Sequence, residues 1–310
     1  MAFFRWKENC TAFHYLAGMS EAGLRFRKIR RRHKVLGLIR LFRIPNLLLL
    51  LLGQVLVVVR FTAETSGLKS LLNLPVLCLI FATQAAAAAG YIINDYHDVK
   101  IDLINKPSRV VIGRLVTRRK ALFAYLMLNL LAIGLGFLAG QKIGLTVGLS
   151  CFLLWRYSAR LKCIPLIGNL EVAFLVAISL YLPGLFFSGE WDNHLYFCLF
   201  AFLSNLIREL VKDLEDLRGD RHHDCRTFAM AYGLKNSRRL INVCLLILFC
   251  LLGFSLQHQN SIRQIMTLLP IIPFGIFFLQ LQKADRKIAF SRLSRLLKWA
   301  MLGGMLCLGL

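Results

Sequence analysis

The chain has 310 residues, is 57% hydrophobic with a mean hydropathy of +0.60, and carries 39 Lys and Arg against 16 Asp and Glu, a net charge of +23. A soluble domain averages about 45–50% apolar residues, so an ordinary water-soluble core is excluded. Nucleic-acid binding would need one basic face with base-reading or stacking groups, and no such module is present.

In chain order, residues 1–35 form a basic segment ending in "RFRKIRRRHK". Phe3, Phe4 and Trp6 suit a short helix at headgroup level, and Met19 is an alternative start to Met1. No small-residue cleavage site follows the first apolar run, so that run is expected to remain as an anchor. Residues 36–310 read as one all-α integral membrane domain. A helix needs about 20 apolar residues to cross a bilayer. On that length nine transmembrane helices are predicted, over 44–61, 74–93, 120–139, 142–157, 168–188, 194–211, 239–256, 264–281 and 294–310. The fourth and the last have the faintest apolar signal.

The basic residues sort onto one side of that arrangement. Residues 1–43 hold 11 Lys and Arg, 94–120 hold 7, 156–167 hold 3, 208–239 hold 8 and 282–298 hold 6. Arg60, Lys69, Lys142 and Arg263 are the others. Basic loops mark the cytoplasmic side, which predicts a cytoplasmic N-terminus and an external C-terminus. With no recognised organelle address, a bacterial inner membrane is expected, although the Arg-rich residues 1–35 would also suit a transit peptide. The nine cysteines are scattered without a C-x-x-C pair, so neither zinc nor a redox motif is indicated. "HHDC", His222 to Cys225, reads as a solvated loop.

Nine of the 16 acids fall in two windows, "NDYHDVKID" and "RELVKDLEDLRGDRHHD". Each contains D-x-x-D-x-x-x-D: Asp95, Asp98 and Asp102 in the first, Asp213, Asp216 and Asp220 in the second. On a helix, positions i, i+3 and i+7 share a face. Three carboxylates on one face repel unless a cation sits among them. Magnesium accepts such oxygen ligands and is usually held by one or two carboxylates plus substrate phosphates. A solvated helix end would explain one D-x-x-D; it does not explain two copies of the longer spacing on the same side of an acid-poor chain. Basic residues accompany both windows: Lys106 and Arg109, then Arg208 and Lys212, with Arg156, Arg160 and Lys162 between them. They could neutralise phosphate oxygens, or only satisfy the charge rule for topology. Asn46 near the inner end of the first span and Glu171 early in the fifth are polar groups set in apolar sequence.

"NDYHDVKIDLINKPSR" with "RELVKDLEDLRGD" resembles the UbiA superfamily of intramembrane prenyltransferases. The family's N-D-x-x-D-x-x-x-D falls on Asn94, Asp95, Asp98 and Asp102, and its second pattern on Asp213, Asp216 and Asp220. The resemblance covers roughly residues 36–310 and implies a UbiA-like helical bundle with a cytoplasmic-side active site. It implies magnesium-dependent transfer of a prenyl group from an allylic diphosphate to a lipophilic acceptor, among membrane lipids. The six aspartates would be metal ligands, and Asp95, Asp98, Asp213 and Asp216 the catalytic set. Asn46, Asn94, Lys106, Arg109, Lys162, Arg208 and Lys212 would bind substrate, and His97 would line the pocket.

"DLINKPSR" and "GNLEVA" look most like the ether-lipid branch, the digeranylgeranylglyceryl phosphate synthases and their bacterial relatives. That branch's acceptor is geranylgeranylglyceryl phosphate. Two stretches depart from its pattern: "RVVIGR" (Arg109 to Arg114) stands for RPIPSG, and "TFA" (Thr227 to Ala229) for TLP. They leave acceptor identity open. Aromatic prenyl transfer for quinone or pigment synthesis is the alternative, distinguished by an acceptor assay. A divalent-cation transporter is a third, disfavoured because transporter sites lie near the midplane.

Overall fold

In hydrocarbon a backbone must satisfy its own hydrogen bonds, so apolar runs of this length fold as helices. The computed structural model describes residues 37–62, 67–105, 110–187, 191–222, 226–255 and 268–309. Among these, nine α-helices of twelve or more residues are formed: α1 Ile44–Phe61, α2 Leu74–Asn105, α3 Arg118–Ala139, α4 Gln141–Ala159, α5 Ile167–Phe187, α6 Trp191–His222, α7 Phe228–Ser255, α8 Ile271–Gln282 and α9 Lys287–Gly309. No strand forms among the described residues beyond a single bridge between Ile112 and Val116. The basic N-terminal segment with Met19, the side chains of Lys106, Arg109 and Asp220, and residues 264–267 of the eighth predicted span lie outside what is described.

Five helices, α2, α3, α5, α6 and α7, contain segments long and apolar enough to cross a membrane, and α1 and α8 are shorter apolar helices. The chain is an integral membrane protein. α4 and α9 are helical where spans were expected, but Lys142 and Arg156 sit near the ends of α4, and Arg292, Arg295 and Lys298 interrupt α9.

Some predicted spans also stop short of the helices that carry them. α2 was expected to close at 93 and runs to Asn105; α6 was expected over 194–211 and runs over Trp191–His222. Hydropathy marks where apolar sequence ends, but a helix continues while its apolar face is still packed. In α6 that face persists through Val211 and Leu214, both buried. α7 begins at Phe228, ahead of its predicted start at 239, and is broken at Gly233, whose φ of 76° only glycine adopts easily.

Burial follows membrane rules. In α3 the buried residues are small, Ala121, Ala132, Gly136 and Ala139, while Phe123, Leu130 and Leu138 are exposed. Small residues let helices approach, and large ones face lipid. α6 is central. Its Phe200, Ile207 and Leu210 pack with Ile241 and Leu245 of α7, Phe274 and Phe277 of α8, and Leu293 and Leu297 of α9. A second cluster joins α2 to α3 and α4 through Leu79, Ala86, Ala132 and Val147. The departing stretch "RVVIGR" joins a third: Val111 and Ile112 are buried with Leu41, Ile92 and Ala121. That change is absorbed as packing.

Candidate active site

A cavity of about 770 Å³ opens between α1, α2, α4, α5, α6 and α9. Asp95, Asp98 and Asp102 line it from α2, and Asp213 and Asp216 from α6. Because α2 continues past its apolar run, all three of its aspartates stand on one continuous helix, and the i, i+3, i+7 spacing turns them to one wall. Asn46, Asn94, Lys162, Arg208 and Lys212 line the same cavity. Ten of the thirteen predicted site residues are thus brought together; the other three are those whose side chains fall outside the described residues.

The cations are held by the acids. Arg43 Nη2 donates to Asp95 Oδ1 at 2.7 Å. Lys162 forms an ion pair with Asp98. Glu209 is buried and accepts from Arg208 Nη1 at 2.9 Å and from Lys212 Nζ at 2.7 Å. Asn169 Nδ2 donates to Asp213 Oδ2 at 3.0 Å, and Lys298 Nζ to Asn46 Oδ1 at 3.1 Å.

Local backbone explains two of these placements. Arg43 precedes α1 in the left-handed region, with φ 48° and ψ 48°, an arrangement unusual for a residue with a side chain. It puts the guanidinium 5.0 Å from the centre of the Tyr91 ring and against Asp95. Burial opposes the charge on Arg43, but Asp95 and Tyr91 outweigh it and raise its pKa. Lys162 lies in a short 3₁₀ turn, Leu161–Cys163, seated on Gly168 at the start of α5. A β-carbon on Gly168 would lie 2.8 Å from both Leu161 O and Lys162 Cα, so only glycine lets the turn sit there.

The sequence reading missed Arg43, Asn169, Thr227 and Lys298 as cavity-lining or aspartate-contacting residues. Asn169 lay in the quoted "GNLEVA", and Arg43 directly before "IPN". Thr227 lines the cavity and is buried, and its hydroxyl makes no hydrogen bond among the described residues. Nothing in the local sequence separated Lys298 from its neighbours Arg292 and Arg295. One expectation is corrected. His97 is exposed and does not line the cavity, because position 97 points off the face shared by 95, 98 and 102. Arg156 and Arg160 are exposed, and of that loop's cations only Lys162 turns inward.

The donor set suits magnesium. All its charged oxygens are carboxylates, from two helices, around one space. Among the described residues no three of His, Cys, Asp or Glu converge into a self-sufficient metal cage. A cation there would need further oxygens from a ligand, which is how magnesium sits with diphosphates. The deeper walls are apolar, with Leu49, Leu50, Leu182, Met301 and Met305. Charge at one end and apolar surface at the other matches a diphosphate with a hydrocarbon tail.

Comparison with known proteins gives the same direction. The model of the UbiA prenyltransferase family matches residues 48–302. A digeranylgeranylglyceryl phosphate synthase of Methanosphaera stadtmanae is 35% identical, over 73% of this chain and 82% of its own. One of Methanobrevibacter smithii is 31% identical, over 81% and 91%. Among solved structures, one of digeranylgeranylglyceryl phosphate synthase in membranes superposes with a TM-score of 0.67 at 24% identity, over 89% of this chain and 98% of that one. A UbiA homologue from Archaeoglobus fulgidus bound to GPP and Mg2+ gives 0.66 at 14%, over 88% and 100%. At these identities the structures support the fold.

Proposed function

This chain belongs to the UbiA prenyltransferase family, and from that premise we propose that it transfers a geranylgeranyl group from its allylic diphosphate to geranylgeranylglyceryl phosphate, with magnesium as cofactor. One observation carries the site assignment: aspartates 118 residues apart in sequence, Asp95 and Asp213, line one cavity with an apolar floor. The ether-lipid acceptor is supported by the curated relatives, which carry that branch's name.

Asp95, Asp98 and Asp102 with Asp213, Asp216 and Asp220 would hold the metal, Asn94 orienting the first set. Magnesium, when bound, stabilises the charge that develops on the departing diphosphate. Lys162, Arg208 and Lys212, with Lys106 and Arg109 proposed beside them, neutralise phosphate oxygens that face the protein. The C1–O bond to diphosphate breaks with its electron pair leaving on the diphosphate. The acceptor hydroxyl oxygen then bonds to C1 and releases its proton. Leu49, Leu50 and Met305 keep the prenyl chain and the cationic carbon out of water. No nucleophilic side chain is required, since no covalent enzyme intermediate is formed.

Residues 36–310 are the proposed catalytic domain, crossing the membrane nine times with the carboxylate end and N-terminus cytoplasmic. Residues 1–35 are a basic cytoplasmic segment. The distribution of Lys and Arg supports this orientation. A prokaryotic plasma membrane is the proposed home; the sequence reading favoured a bacterium, and the relatives named above are archaeal.

Labelled geranylgeranyl diphosphate, offered with magnesium to the protein in lipid, tests the proposal. Labelled ether lipid, lost in Asp95→Asn, supports it. Transfer to 4-hydroxybenzoate alone would reassign the acceptor, and no diphosphate consumption would sink the enzyme reading.

A further inference from the structure

The apolar run of α7, "LINVCLLILFCLLGF", begins at Leu240, and that of α8 ends at Leu281. Two contacts hold these ends level. Gln282 Nε2 donates to Asn242 Oδ1 at 3.0 Å, and Arg238 Nη2 donates to Asp285 Oδ1 at 2.7 Å and also to Ala284 O. Between them lies a second pocket, of about 500 Å³, lined by Leu234, Lys235, Arg238, Arg239, Asn242 and Gln282. It shares no lining residue with the active-site cavity. α7 starts shortly after α6 ends, so the pocket stands at the carboxylate end of the bundle, where the polar chain meets the apolar runs.

Its charge is unbalanced. Lys235, Arg238 and Arg239 are spaced i, i+3 and i+4, which puts three cations on one helix face, where like charges repel. Asp285 pairs with Arg238 alone. Lys235 and Arg239 are exposed, and neither has an acidic partner among the described residues. Arg238 Nε is buried with no hydrogen-bond partner among the described residues, a donor left waiting for an oxygen. A rule that places basic residues on one side of a membrane explains how many there are. It does not explain their convergence on a pocket between two helices.

We propose that this pocket binds the phosphate of an anionic membrane lipid, a site separate from the catalytic cavity and independent of the reaction proposed above. Basic pockets between transmembrane helices suit such head groups. A guanidinium offers phosphate two parallel N–H donors, and Arg238 and Arg239 supply two guanidiniums with the Lys235 ammonium beside them. The helix faces that carry the pocket continue as apolar surface. Val243 and Leu246 follow Arg239 along α7, Leu279 and Ile272 precede Gln282 along α8, and all four are exposed. Acyl chains attached to a phosphate in the pocket would lie along these faces. A free phosphate shares the head-group chemistry and would leave the faces unused, which favours the lipid.

The test uses the full chain in neutral detergent, titrated with dioleoyl phosphatidic acid, with bound lipid counted by native mass spectrometry. Lys235→Gln with Arg239→Gln removes two cations that hold no other part of the fold, and circular dichroism checks that helix content is kept. Two surface cations lost should weaken phosphatidic acid binding by ~10–30-fold. Arg292→Gln with Arg295→Gln removes two exposed cations of α9 outside the pocket and should leave the affinity at the wild-type value. Inorganic phosphate is the competitor, and failure to displace the lipid at millimolar concentration supports the lipid assignment. Displacement by phosphate at the lipid's own affinity would overturn it in favour of a free anion. Unchanged affinity in the Lys235 and Arg239 variant, or equal weakening in both variants, would overturn the site. Because the readout is binding, loss of the prenyl-transfer reading leaves this result standing.

Discussion

Arg43 and Asp95 are 52 residues apart in sequence and 2.7 Å apart in space, joining the first residue before α1 to the first aspartate of α2. Both residues line the cavity. Arg43 also lies on the Tyr91 ring, so the guanidinium is fixed by two contacts and an uncommon backbone conformation. Arg43→Lys keeps the charge but loses the planar fork and the ring contact. It is expected to lower kcat/KM for the prenyl diphosphate by ~10-fold, at one lost charge-assisted contact. Steady-state kinetics with varied donor checks this; an unchanged value would show that the pair is dispensable.

Glu209 neutralises two cations from a buried position. Removing one member of a buried ionic group leaves uncompensated charge, at a cost of about 3 kcal/mol. Glu209→Gln should therefore lower the thermal unfolding midpoint in detergent. Glu209→Gln with Lys212→Gln should recover part of the loss. If the double variant is no more stable than the sum of the singles predicts, the three groups are not coupled.

Gly168 tests the Lys162 turn. Alanine there would push its β-carbon into the backbone of residues 161 and 162. The turn must shift, moving Lys162 off Asp98. Transfer is expected to fall by ~10-fold or more, as for loss of one charged contact, while helix content by circular dichroism stays at the wild-type level. Full activity in Gly168→Ala would mean that Lys162 need not sit where the structure puts it.

Metal removal separates the two carboxylate sets from a merely structural ion-pair network. Chelation should abolish transfer, and added magnesium should restore it. Asp213→Asn should raise the magnesium concentration needed for half-maximal rate by ~10-fold, because a ligand oxygen loses its charge. Full activity in excess chelator would exclude the metal role.

The sequence disclosed most of the site because its chemistry is local. Two copies of D-x-x-D-x-x-x-D on helices define two carboxylate walls without knowledge of the tertiary fold. The polar contacts that other elements bring to the cavity are not local. Arg43, Asn169 and Lys298 each reach their partner across 44 residues or more, and nothing in "FRIPN" or "RLLKWA" says which helix faces which. Helix ends were misjudged for a related reason. Apolar content reports the surrounding medium, whereas Val211 and Leu214 keep α6 going by packing within the protein.

α2 and α6 are each 32 residues long, about 48 Å at 1.5 Å per residue. A hydrocarbon layer is about 30 Å thick. Each helix therefore emerges as a stiff post, and the aspartates are mounted on the posts rather than on loops. Their height above the acyl chains then depends on the lipids around them. Thicker bilayers would draw the carboxylates down toward the headgroups, and thinner ones would lift them into water or tilt the posts. The length of the host's own acyl chains would thus act as a dial on an enzyme that makes lipid, and rates in nanodiscs of graded chain length would trace an optimum.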